Sequence, residues 1–163
     1  MSFIKLSDVR KTYQMGEIPI HAVDGVNFEI KQGEVCVIVG ASGAGKTTVL
    51  NILGGMDSCD SGLVEVDHKD ISKYNRRQLT DYRRYDIGFV FQFYNLVQNL
   101  TTLENVELAT EITKNPMSPE QALALVGLSD RTKNFPAQLS GGEQQRVAIA
   151  RAIAKNPTLL LCD

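Results

Sequence analysis

The 163-residue sequence has no run of 18 apolar residues, so no helical membrane span is expected. Its N-terminus, MSFIKLSDVRK, has no apolar signal core, which argues against export. Charge of one sign is not in excess. The net charge is −2, which leaves no electrostatic footprint for nucleic acid as a partner. The basic pairs Arg76-Arg77 and Arg83-Arg84 stand beside Asp81 and Asp86 and read as a solvated helix face. Cysteine is scarce. Cys36, Cys59 and Cys162 are odd in number and lack metal-ligand spacing, as suits reduced thiols in a cytosolic protein. Cys36 and Cys162 lie inside apolar runs and are expected to be small core residues. His21 and His68 belong to no motif and read as surface or loop residues. There is no internal repeat and no low-complexity segment.

What is present is the composition of an ordinary globular domain, 43% apolar and 22% charged, long enough to bury a core. SFIKLSDVRKTYQ and AVDGVNFEI alternate and read as antiparallel strands. VCVIV (35–39) is continuously apolar, as expected of a strand buried on both faces of a parallel sheet. GKTTVLNILG (45–54) reads as a helix stopped at Gly54-Gly55. LVEVDHKDI (63–71) alternates again, and IGFVF (87–91) is another short strand. Residues 95–135 turn helical, broken by NPMSP and NFP. A helix from 141 to about 155 ends at Asn156-Pro157, and TLLLC (158–162) is a last buried strand. The pattern implies an α/β fold with a central parallel sheet and a helical stretch, 95–155, inserted between two of its strands.

Gly40-Ala41-Ser42-Gly43-Ala44-Gly45-Lys46-Thr47 fits the phosphate-loop spacing G-x-x-x-x-G-K-[ST]. Glycines let consecutive amides point into one concavity. The helix that follows adds its positive dipole end. Lys46 supplies a mobile charge for the β- and γ-phosphates, and the Thr47 hydroxyl suits Mg²⁺. Thr48 can add a phosphate contact. The alternative is a mere glycine-rich turn. Chance produces the four fixed positions in about 0.5% of chains this long, and the flanking strand and helix signals favour phosphate binding. The motif alone does not separate an ATPase from a GTPase or a small-molecule kinase.

Ser140-Gly141-Gly142-Glu143 is a capping box. A cap asks for Ser and Glu, but not for two glycines in the first turn, where they weaken the helix. A backbone lying flat against a ligand does ask for them. Ser140 and the amides after it thus read as a second anion site, about 95 residues beyond the first. One nucleotide meets both if they come from different subunits.

With GASGAGKT as its Walker A loop and LSGGEQQR as its signature, the sequence resembles the ATP-binding-cassette (ABC) family from about residue 3 to its last residue. GFVFQFYNL and LTTLENVELA are similar to the branch serving lipoprotein release and export of macrolides or antimicrobial peptides. The resemblance implies a P-loop NTPase core with a parallel sheet, an N-terminal antiparallel β subdomain and an inserted helical subdomain. Residues 1–92 and 156–163 would form the core and 93–155 the helical part with the signature. It also implies ATP and Mg²⁺ as ligands, membrane-spanning subunits as partners, and a homodimer that sandwiches ATP. The place implied is the cytoplasmic side of the membrane.

Individual roles follow from the same resemblance. Tyr13 would stack on adenine, although a plain strand tyrosine is the alternative. Gln92 would ligate Mg²⁺ or orient the attacking water, whereas by position alone it is a surface glutamine. Asp163 would hold Mg²⁺ through water, as a Walker B aspartate. Lys46, Gln92 and Asp163 are thus the expected catalytic residues. The family pattern continues with a catalytic glutamate and a histidine that do not follow Asp163 here. The expectation is therefore a piece of a longer subunit, with its core incomplete at the C-terminus. Such a piece binds ATP but hydrolyses it poorly or not at all. The competing functions are a non-hydrolysing ATP-binding and dimerisation module, and a non-transport cassette.

Overall fold

Alternating apolar and polar residues build a long hairpin at the start of the chain. In the computed structural model, which describes residues 2–163, β1 (Ile4–Met15) pairs antiparallel with β2 (Ile18–Ile30). The register slips between Leu6 and Val9, where Asp8 takes a φ of 46° and its N–H reaches the Asn27 side chain at 2.9 Å. A bulge of this kind shifts which residues face inward. Ile4 and Leu6 are buried before it, Val9 and Lys11 after it. A lysine is thereby carried to the covered side of the sheet, with Tyr13 two residues on.

β3 (Ser61–Val66) lies against the other edge of β1, and β4 (Lys69–Asp70) follows it, giving the order β2-β1-β3-β4. Helix α1 (Lys46–Leu53) buries Val49, Ile52 and Leu53. It stops where expected: the Gly54 N–H donates to Leu50 O at 2.8 Å and the Gly55 N–H to Ile52 O at 3.0 Å. The Met56 and Asp57 N–H groups both return to Asn51 O, at 2.9 and 3.2 Å. The chain after α1 is therefore folded back on the helix.

The chain divides into two compact units, one through Thr80 and one from Asp81 onward. The boundary falls inside α2 (Arg76–Tyr85), which exposes Arg76, Arg77 and Arg84 and buries Tyr82, a solvated face as expected. In the second unit, β5 (Ile87–Val90) pairs parallel with β6 (Leu159–Cys162), from Ile87 opposite Leu159 to Val90 opposite Cys162. Between them run α3 (Thr102–Thr110), α4 (Pro119–Leu125) and α5 (Gly141–Ala154). The alanines of α5 (148, 150, 152 and 154) are buried together with Val106, Leu123, Leu128 and Val147. Small side chains on a helix let its neighbours come close.

Three expectations are overturned. VCVIV forms no strand: Val35, Val37 and Val39 are 91%, 76% and 85% exposed. An apolar run becomes a buried strand only when neighbours pair its edges and cover its faces, and among the described residues no strand pairs with it. Cys36 sits in that run and is exposed rather than a core residue. TLLLC forms β6 but not a buried strand: Leu161 is buried, whereas Leu160 and Cys162 are exposed, because among the described residues β6 is paired on one edge only.

Candidate functional site

The loop before α1 bends where glycine bends freely, with φ of 80° at Gly43 and 82° at Gly45. A Cβ on Gly45 would stand 2.0 Å from the Ala22 carbonyl oxygen, so the loop lies directly against β2. Gly45 precedes a helix start with no side-chain cap. Such a start directs its first amides and the positive end of its dipole into the loop. The Ala44 N–H donates to Ala41 O at 3.2 Å and tightens the turn, with Ser42 exposed at its tip. Lys46 folds back across it, Nζ donating to Gly40 O at 2.9 Å and to Ala41 O at 2.7 Å. Two neutral carbonyls are weaker partners for an ammonium than an anion would be. Thr47 is exposed in the first turn of α1 and Thr48 is half-buried.

Tyr13 is brought to the same helix start. Its hydroxyl donates to Asp57 Oδ2 at 2.6 Å, and the Thr48 side chain hydrogen-bonds the Tyr13 hydroxyl. The ring keeps 37% of its surface exposed. Lys11 Nζ donates to Asp57 Oδ1 at 2.9 Å and to Ser58 O at 2.8 Å, and stands 5.3 Å from the Tyr13 ring centroid. Burial and the Asp57 carboxylate push the Tyr13 phenol above its ordinary value. Burial opposes both charges of the Lys11–Asp57 pair. Hydrogen bonds from Tyr13 and Lys11 outweigh it for Asp57, which is held below the usual carboxylate range. The bond to Asp57 likewise holds Lys11 above its own.

The second unit carries the other candidates. Gln92 follows β5 and Asp163 follows β6, so both leave the carboxyl end of the parallel pair, both exposed. Open α/β sheets bind ligands at that end. The Asp163 N–H extends the ladder to Val90 O at 3.0 Å. Gln92 bears an amide oxygen, Asp163 a carboxylate and, in the first unit, Thr47 a hydroxyl. All are hard donors that suit Mg²⁺. No group of three or more His, Cys, Asp or Glu able to hold a metal occurs among the described residues.

At the start of α5 the capping box forms. Ser140 Oγ accepts from the Glu143 N–H at 3.3 Å, and the Glu143 carboxylate accepts from the Ser140 N–H at 2.8 Å and hydroxyl at 2.9 Å. Arg131 Nε also donates to Glu143, at 3.2 Å. The Ser140 bonds, then Arg131, hold Glu143 below its ordinary value. A Cβ on Gly141 would come no nearer than 3.8 Å to another residue (the Tyr94 hydroxyl), and one on Gly142 no nearer than 3.9 Å (the Arg146 side chain). Nothing within the chain requires a bare backbone there.

Reasoning from sequence missed Lys11, Asp57, Arg131 and Arg151. The last donates Nη2 to Tyr94 O and Nη1 to Asn95 O, both at 2.7 Å, just beyond Gln92. Only Lys11 left a readable sign: at two residues before Tyr13, it shares that residue's strand face.

The chain belongs to the ABC transporter family, whose profile matches residues 23–163. It is 42% identical over 165 residues to the lipoprotein-releasing system ATP-binding protein LolD of Cytophaga hutchinsonii, across 98% of this chain and 74% of that protein. To the methionine import ATP-binding protein MetN of Vibrio vulnificus it is 39% identical over 165 residues, across 98% of this chain and 48% of that one. Among solved structures, the ATP-binding cassette MJ0796, a dimer in a post-hydrolysis state bound to ADP and Pi, matches with a TM-score of 0.90. That match has 45% identity and covers 98% of this chain and 73% of the other. The α/β cassette fold, with one antiparallel and one parallel sheet, is thus established, and the chain is an ATP-binding domain of a family of ATPases. No helix among the described residues is long and apolar enough to cross a membrane.

Proposed function

We propose that this domain binds Mg²⁺ and ATP and couples ATP binding and hydrolysis to export or lipoprotein release through membrane-spanning partner subunits. The observation that carries the nucleotide half is the Lys46 ammonium, held inside a glycine loop by two neutral carbonyls at an uncapped helix start. A phosphate oxygen is a better partner for that ammonium than either carbonyl. In this reading residues Gly40 to Thr48 hold the phosphates and Tyr13 takes the base. Thr47, Gln92 and Asp163 hold Mg²⁺, which neutralises phosphate charge when bound. Gln92 orients the attacking water. Ser140, Gly141, Gly142 and Glu143 form the turn that meets the nucleotide of a second copy. That role explains two glycines the chain itself does not need. The working location is the cytoplasmic face of a membrane.

Likeness to LolD favours lipoprotein release or export, and likeness to MetN supports import as the second reading. Equilibrium binding of a fluorescent ATP analogue with Mg²⁺ tests the first half, with Lys46→Ala as control. Saturable binding lost in the variant is the expected result, and equal binding by both proteins would remove Lys46 from the site. Phosphate release above the Lys46→Ala level separates an ATPase from a non-hydrolysing module. Identifying the membrane subunit that co-purifies decides between export and import.

A further inference from the structure

The reading above leaves Lys11 and Asp57 without a role, yet their cluster with Tyr13 is unusually well made. Lys11 is a lysine on the covered side of a sheet, 9% exposed, placed there by the bulge in β1. Its ammonium is spent on Asp57 and on the Ser58 carbonyl. Asp57 uses its other oxygen to accept from the Tyr13 hydroxyl at 2.6 Å. Asp57 is itself fixed by its N–H bond to Asn51 O, on the helix that starts at the phosphate loop. An aromatic ring two bonds from the backbone can turn about χ1 and χ2 unless its far end is tied. Here the far end is tied twice, to Asp57 and to Thr48.

We infer that Asp57 is a positioning residue for nucleotide selectivity: with Lys11 behind it, it fixes the Tyr13 ring relative to α1 and so to the phosphate loop from which that helix starts, holding the ring ready for a base. This rests on the reading that Tyr13 takes the base. A tied ring loses less freedom on stacking than a swinging one, which is the ordinary gain from preorganisation. Lys11 lies near one face of the ring, and the base takes the exposed part.

The test is calorimetric binding of ATP and of inorganic tripolyphosphate to the full chain and to Asp57→Asn, Tyr13→Phe, their double variant and Tyr13→Ala. Tyr13→Phe removes the same hydrogen bond without unpairing Lys11, so the inference survives a folding defect in Asp57→Asn. The expected result is ATP affinity lowered about fivefold to tenfold by either single change, as for one ordinary hydrogen bond. The double variant would be no worse than either, and tripolyphosphate affinity would be unchanged throughout. Multiplying effects, an unchanged Tyr13→Phe, or equal losses for tripolyphosphate would overturn the role of Asp57. Unchanged ATP binding in Tyr13→Ala would instead overturn the base reading beneath it.

Discussion

Arg151 holds the backbone of Tyr94. Its guanidinium donates to the Tyr94 and Asn95 carbonyls at 2.7 Å each, across 57 and 56 positions of sequence. Those two residues are consecutive and left-handed, with φ of 56° and 50°, a conformation that costs a non-glycine residue about 1 kcal/mol or more. Burial lowers the Arg151 pKa. The helix carrying the signature turn is thus bolted to the segment that follows Gln92. Arg151→Met is expected to cost about 3 kcal/mol, since two charge-assisted bonds are lost. Arg151→Lys lacks the planar fork that meets the two carbonyls at once and is expected to recover less than half. Urea midpoints of the three proteins check both statements.

Asn105 does similar work with no charge. It is fully buried on α3, and Oδ1 accepts from the Val97 N–H at 2.8 Å. Nδ2 donates to Val97 O and Leu100 O at 3.1 Å and to Thr101 O at 3.0 Å. The side chain thereby replaces water for a turn of backbone. Asn105→Leu leaves those groups unpaired and is expected to cost about 3 kcal/mol, well above the usual effect of an isosteric core change. Denaturation of the variant, with amide exchange at Val97 as the local readout, decides it.

The glycines of the two turns proposed to bind anions predict opposite outcomes. Gly45→Ala puts a Cβ 2.0 Å from a backbone oxygen at a φ of 82°, so loss of the folded loop is expected. Gly142→Ala meets nothing nearer than 3.9 Å, inside a helix that alanine favours. A small gain in stability, about 0.5 kcal/mol, is expected there. Nucleotide-dependent dimerisation should nonetheless fall, because the lost surface faces outward. Melting curves, and sedimentation with and without ATP, separate the two effects.

These contrasts show what was legible in the sequence. The glycine turn into α1, the capping box at Ser140 and the stop at Gly54 are contiguous motifs whose bonds close within a few residues, and each of these local shapes forms in the structure. The β1–β2 hairpin and the crossover between β5 and β6 follow from period and order alone. Asp57 could not be read, because its partner Tyr13 lies 44 positions away. Lys11 could not be read as buried, because only the bulge at Asp8 turns it inward. VCVIV misled for a related reason: apolarity marks a segment that needs neighbours and does not supply them.

The Lys11–Asp57 pair makes a prediction whose sign can be worked out. Asp57 lies below its ordinary 3.8 in the folded chain, so its stabilisation is complete above that value and is lost as pH falls through the folded one. Lys11 lies above its ordinary 10.5, so its share is complete below that value and is lost as pH rises through the folded one. The side chains are 11% and 27% exposed, and removing one partner of so covered a pair is expected to cost about 2 kcal/mol. The unfolding free energy of wild type minus that of Asp57→Asn should therefore be flat through neutral pH. It should shrink toward acid, where the wild-type carboxyl is protonated and resembles the amide. It should shrink again in strong alkali, and that second limb should be absent when the comparison is repeated on a Lys11→Met background. Urea titrations from pH 2.5 to 11 read all three features. A difference that grew toward acid would mean that the folded chain prefers a neutral Asp57, and the pair would not be the ion pair that holds Tyr13.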